Sequence, residues 1–511
     1  MALESMAQRL EDLARRSSAA LMAGGEEQLR RQHGRGKMTA RERVSCLLDP
    51  GSFSEVDMLA RSRSEAVPAG KRAYTDGVVT GVGTVEGRKI CVYSQDFTVA
   101  GGTLGEVSGE KIWKIMDLAV SLGVPLVGIN DGGGARVQEG VVALHYYGGI
   151  FRRNVAASGL VPQVSVIMGS CAGGAVYSPA ITDFVFMVQG TSQMFITGPD
   201  VVRAVTGEDV TLEQLGGALT HASKSGVAAF VAPDERTCLQ KVRQLLGFLP
   251  PNNLEAPPVA ACPEGATADL PGLARLVPAS LHEPYDIRSL ARAVLDGASF
   301  FEYHALWAPN LVCGFGRLGG RVVGIVANQP LVLGGVLDID AAEKGARFVR
   351  TCDCFNIPVV TFVDVGGFMP GTGQEHAGLA RRAAKLLYAY CEAAVPKIQL
   401  VLRRAYGAAY VAMCSKALGA SRAYAWPGAQ VAVMGPGPHA ARAGAGSGPA
   451  PGPTPALGSA FAAAGRGYID EVIEPASTRR VLYEALSALA GPGGRSANQP
   501  LPARKHGNLP L

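Results

Sequence analysis

A strand running into a glycine turn occurs twice along the 511-residue chain, and this repeat limits the possible folds more than any other feature. In the first half the apolar run VSVIM leads into GSCAGGAVYSP at residues 169–179. In the second half IQLVL leads into RRAYGAAY. Gln138 and Gln374 are 236 residues apart, Gly174 and Ala408 are 234 apart, and Gly198 and Gly435 are 237 apart. Landmarks that keep one spacing over such a distance point to two copies of one domain. Within each copy, strand patterns alternate with helical ones, which predicts an α/β fold. Two domains of about 250 residues also suit the length.

Residues 248–285 lose periodicity and gain proline, so the expected division is a first domain at 1–255, a linker at 256–284 and a second domain at 285–511. Residues 435–458 are so rich in Gly and Pro that an irregular segment is expected there. Residues 1–50 read as two helices around a basic loop, RRQHGRGK, with Thr39 and Glu42 as a capping box for the second. The loop reads either as a solvated face or as a holder of ligand phosphates.

Glycine turns also follow the strands VPLVGI and VVTFVD, as NDGGGARVQE and VGGFMPGTGQE. Open α/β sheets place ligands at such carboxyl ends of strands. At Gly173 and Gly174 the absence of a Cβ lets backbone approach a ligand closely. Successive N–H groups opening a helix suit an anion or a developing oxyanion, and tight packing of helix on sheet explains the same pair of glycines. Cys171 lies in this turn, but nothing near it in sequence supplies a base.

Other classes of function are excluded by pattern. The net charge of +5 is dispersed, which argues against nucleic acid. No apolar run reaches membrane-spanning length. The ten cysteines form no framework and the eight histidines no ligand motif, so reduced thiols and no metal are expected. Acidic residues in the N-terminal amphipathic stretch argue against a transit peptide, and a cytoplasmic protein follows by default.

The blocks YSQDFTVAGGTLGE, NDGGGARVQEGV, GSCAGGAVYSPAITDF, MFITGPDVV, GARFVRTCDCFNIPVVTFVDV and PGTGQEHAGLARRAAKLLYAY resemble the carboxyltransferase (β) subunits of biotin-dependent acyl-CoA carboxylases, with the propionyl-CoA type the nearest. The resemblance runs from about Arg30 to the RKHGNLPL tail and weakens at 435–465. It implies two tandem crotonase-like domains and a homohexamer. It implies an acyl-CoA side in the first half and a carboxybiotin side in the second, the active site forming where halves of two subunits meet. It also implies an enolate mechanism in which backbone N–H groups hold two oxyanions. By motif match those groups belong to Gly173 and Gly174, and to Ala408 and Ala409. Gly133, Gly134, Ala135 and Val411 fall on the substrate side, Gly367 and Gly371 on the biotin side. No AMKM-type acceptor sequence is present, so biotin is expected on a separate α subunit that carries the biotin carboxylase and carboxyl carrier functions. A zinc ribbon of the kind some relatives carry is not expected.

Four positions depart from the family pattern. Gly132 stands where Ser is usual, Gly366 where Pro is usual, and Ala408 where Gly is usual; Val411 replaces an Asp common in propionyl-type enzymes. A methyl group at Ala408 costs about 1 kcal/mol or more if that residue needs positive φ. Val411 predicts a broader or different acyl-CoA range. A decarboxylase or transcarboxylase subunit, and a catalytically weakened assembly subunit, are the competing readings.

Overall fold

The computed structural model describes residues 5–65, 67–68, 70, 72–435, 458–489 and 504–510. Nearly all of the segment expected to be irregular, 435–458, lies outside them. The chain divides into two compact units, with the boundary between Asn253 and Leu254.

In the first unit one sheet contains β1 (Ser54–Val56), β2 (Val78–Val85), β3 (Arg88–Gln95), β4 (Leu126–Gly132), β5 (Gln163–Ala172), β6 (Phe184–Val188), β7 (Gln193–Phe195) and β8 (Phe230–Ala232). The order is β1-β2-β3-β4-β5-β6-β8, with β7 paired to the end of β5. The first two pairings are antiparallel and the rest parallel. β4, β6 and all but the end of β5 are buried, as strands covered on both faces must be. Helices Glu106–Leu122 and Val141–Ala157 cover one face, placing Ile112, Ile115, Met116, Tyr147 and Ile150 against the strands.

The second unit repeats this plan with β9 (Phe301–Tyr303), β10 (Leu311–Leu318), β11 (Arg321–Asn328), β12 (Val359–Val365), β13 (Lys397–Tyr406), β14 (Arg422–Ala425), β15 (Gln430–Ala432) and β16 (Glu471–Val472), ordered β16-β14-β13-β12-β11-β10-β9 with β15 on β13. The likeness extends to irregularities. The β4–β5 register shifts between Asn130 and Gly132, and the β12–β13 register shifts between Val363 and Val365. These matching bulges re-aim Asp131 and Asp364, the residues between. Gln95 Oε1 accepts from the Asp131 N–H (3.0 Å), and Asn328 Oδ1 accepts from that of Asp364 (3.2 Å). Buried lysines match as well: Lys111 Nζ donates to the carbonyls of Thr75 and Val78, and Lys344 Nζ to those of His304, Trp307 and Ala308. The sequence carries this signal as two Glu-Lys pairs, at 110–111 and 343–344.

Two stretches behave differently from their local composition. Residues 256–284, read as a linker, pack on the second unit. Leu273 and Val277 enter its core, and the Leu270 and Ala260 N–H groups donate to Ala476 and Gly320. Long-range apolar and backbone contacts replace the missing periodicity. The tail at 504–510, placed by sequence with the second half, joins the first unit: Arg504 donates to the Ser158 carbonyl (2.9 Å) and Asn508 Nδ2 to Asp183 (2.9 Å).

Candidate active site

In the first unit β5 ends at Ala172 in extended conformation, and Gly173 turns the chain with φ 64° into a short helical turn, Gly173–Val176. A Cβ built on Gly173 meets nothing within 4 Å, and one on Gly174 meets only the Tyr147 ring at 4.0 Å. The turn therefore faces open space. The first N–H groups of a helical segment lack intrahelical partners, so those of Gly173 and Gly174 are suited to receive an oxyanion. A packing glycine has neighbours that a Cβ would strike, and this pair has none closer than 4.0 Å. Gly169 is such a glycine, with Asp131 Oδ1 1.8 Å from its Cβ position.

The turn after β4 abuts the one after β5. Gly134 has φ 89°, and a Cβ on it would lie 2.9 Å from the Ala172 carbonyl oxygen. Gly133 donates to Gly101 (3.0 Å), and Leu104 donates to Gly134 (2.9 Å) while accepting from Arg136 (2.8 Å). Gly133 and Ala135 line a cleft of about 1220 Å³, together with Phe97, Gly101, Gln32 and Arg35. Gly134, Gly173 and Gly174 lie outside its lining. Gly132 is closed over by the chain itself, since a Cβ there would lie 2.3 Å from the Gly102 oxygen. A serine would force these two turns apart.

Charged residues that sequence reasoning passed over hold this wall. Arg136 is buried and donates to Asp76 (2.8 Å) and Glu139 (2.9 Å). Asp131 is fully buried beneath the β4 turn and binds Lys37 (2.7 Å) and Arg43 (2.9 Å). Arg43 in turn binds Glu235 (2.6 Å). Lys37 of the basic loop is thus committed to Asp131, while Arg35 stacks over Phe97 at 5.5 Å on the cleft wall. The Thr39 capping box forms as expected, with Thr39 accepting from Glu42 (3.2 Å) and Glu42 accepting from Thr39 (2.7 Å). It starts the helix that carries Arg43 inward. Burial pushes the Cys171 thiol up to about 12, which makes it a poor nucleophile.

In the second unit the turn after β13 has the same form. Gly407 carries the positive φ, 59°, and opens the helix Gly407–Ala412. Gly407 and Ala408 thus match Gly173 and Gly174 in position, as the spacing of 234 residues implies, and Ala409 follows in the same helical turn. Ala408 is exposed and has no positive φ, so its methyl strains nothing; Ala409 is buried. Both N–H groups lie in the first helical turn, where intrahelical partners are missing. Val411 is 38% exposed on the same helix. Gly367 (φ 147°) and Gly371 (φ 128°) lie in the turn after β12, and Leu337 donates to Gly367 (3.1 Å) as Leu104 does to Gly134. Gly366 has room: its Cβ would find only Val336 Cγ1, at 3.7 Å.

Residues 31–441 match the carboxyl transferase domain family. A propionyl-CoA carboxylase beta chain of Saccharopolyspora erythraea is 54% identical, with 100% of this chain and 97% of the relative covered. The chain belongs to the carboxyl transferase family. This carboxyl transferase is also 47% identical to a methylmalonyl-CoA decarboxylase subunit alpha of Propionigenium modestum, over 99% of each chain. Among solved structures it matches transcarboxylase 12S, described as a hexamer assembly with hydrolysed methylmalonyl-coenzyme A bound, with TM-score 0.93, 45% identity and complete coverage of both chains. Among the described residues no cluster of His, Cys, Asp or Glu could hold a metal, and no helix is long and apolar enough to cross a membrane.

Proposed function

We propose that this carboxyl transferase moves a carboxyl group from carboxybiotin to the α carbon of a short- or medium-chain acyl-CoA, propionyl-CoA first. The observation that carries the reading is the pair of open strand-to-helix turns, led by Gly173 in one unit and Gly407 in the other. Each unit is taken as a crotonase-like domain, with the boundary at the proline-rich stretch.

The acyl-CoA lies against the first unit, where the cleft bounded by Gly133, Ala135 and Arg35 offers walls for the cofactor moiety. The Gly173 and Gly174 N–H groups hold the thioester oxygen as the enolate develops. The second unit holds the biotin carbonyl oxygen at Ala408 or Ala409, with Gly367 and Gly371 shaping the approach. Biotin, borne on a separate biotin carboxylase and carrier subunit, supplies the carboxyl group and the proton acceptor. The chain's part is then orientation and oxyanion stabilisation, and each N–H lost costs about 3 kcal/mol. A homohexameric core and an intracellular place suit this chemistry.

Biotin-dependent carboxyl exchange with methylmalonyl-CoA and malonyl-CoA tests the reading. Exchange with either supports it, and none with both refutes it. Kinetics on acetyl-, propionyl- and butyryl-CoA test the role of Val411. The decarboxylase relative favours one alternative, in which the same turns work in reverse; co-purification with a biotin carboxylase rather than a membrane pump subunit decides between them. Against a weakened assembly subunit stands the unstrained Ala408.

A further inference from the structure

We propose that Arg404 is a positioning residue for the second-unit turn, fixing three glycine-bearing turns through one guanidinium group; the proposal rests on that turn serving the carboxybiotin side. Asp364 is fully buried at the β12 bulge. Arg404 Nε donates to Asp364 Oδ1 (2.7 Å), and Arg404 Nη2 donates to the Gly334 carbonyl (2.9 Å). Gly334 sits in a turn whose three residues all have positive φ: Leu333 51°, Gly334 63° and Gly335 77°. Gly407 follows Arg404 by three residues, immediately past the end of the same strand. The side chain thus joins the 333–335 turn, the end of β12 and the end of β13. Arg403 Nε takes the other carboxylate oxygen (2.8 Å), and its Nη1 holds the carbonyls of Pro278, Ser280 and Glu283 (3.2, 2.5 and 3.0 Å).

The first unit solves the same problem differently. By the spacing of the two turns, Gly169 stands where the second unit has Arg403. A Cβ on Gly169 would lie 1.8 Å from Asp131 Oδ1 and 2.4 Å from Lys37 Nζ. The space is filled by cations from the N-terminal segment, Lys37 from the basic loop and Arg43 from the helix after it. In the second unit both cations sit on the strand that enters the turn, so a fault at Arg404 reaches Gly407 directly and leaves the first unit untouched.

The test uses the purified full-length protein with free D-biotin and methylmalonyl-CoA. Arg404→Ala is expected to lower biotin-dependent turnover about a hundredfold and to raise KM for free biotin. Its calorimetric Kd for propionyl-CoA should stay within about twofold of wild type. Arg404→Lys, which keeps the charge but cannot span both acceptors, should lose about tenfold. Turnover and biotin KM at wild-type values in either variant overturn the proposal. If Arg404→Ala does not fold, Arg404→Lys decides. If the wild-type protein shows no biotin-dependent turnover, the functional reading fails instead. Hydrogen exchange then decides the positioning claim: faster exchange of the 407–412 amides in Arg404→Lys supports it, and unchanged exchange overturns it.

Discussion

Arg43→Met removes a guanidinium from the most deeply buried ion cluster of the first unit while keeping its aliphatic stem. Arg43 is fully buried, with Nη1 2.9 Å from Asp131 and Nε and Nη2 3.0 and 2.6 Å from Glu235. After the change Asp131 keeps Lys37, but Glu235 keeps only the Met38 N–H at 2.9 Å. Breaking a buried pair so that one charge is stranded typically costs about 3–5 kcal/mol. Lys37→Met is milder, about 1–3 kcal/mol, because Arg43 still meets Asp131. Hydrogen exchange read by mass spectrometry on the whole protein follows each unit separately. Amides of β4 and β5 should lose about 3–5 kcal/mol of opening free energy in Arg43→Met, with β12 and β13 unchanged. Adding Glu235→Gln should restore part of the loss by removing the stranded charge. A loss below about 1 kcal/mol, or an equal cost for Lys37→Met, would refute the reasoning.

Other perturbations separate turn geometry from chemistry. Gly366→Ala has space and no positive φ, so it should stabilise the protein by about 0.4–1 kcal/mol through the unfolded chain, measured by denaturant melting of the second unit. Gly173→Val places a β-branched side chain at φ 64° in the open turn, and should abolish carboxyl exchange while the core amides stay protected. Iodoacetamide should modify the exposed Cys262 and Cys391 in the native protein at pH 8 and leave Cys171 untouched, as peptide mapping will show. Burial pushes Cys91, Cys171, Cys313 and Cys414 from 9.0 up to about 12, so the unfolded chain loses these protons first. Stability should fall from pH 9 towards 12 by up to about 1.4 kcal/mol per pH unit for each thiol, and Cys171→Ala should flatten that slope. An unchanged slope would count against the burial argument.

The sequence by itself determined the repeat, the alternation of strands and helices, the Thr39 cap and the positions of the glycine turns. These are local matters: apolar periodicity selects strand or helix, and glycine marks where a chain must bend without a Cβ. The family was legible for the same reason, because its motifs are the turns. Tertiary structure alone decided which residues complete each turn. Asp131 and Asp364 occupy equivalent bulges, yet one draws its cations from a loop and a helix about 90 residues earlier and the other from the adjacent strand. No local pattern states that choice, because a buried carboxylate requires a cation nearby in space and is indifferent to its place in the chain. The assignment of residues 256–284 to the second unit and of 504–510 to the first has the same origin: their contacts are long-range.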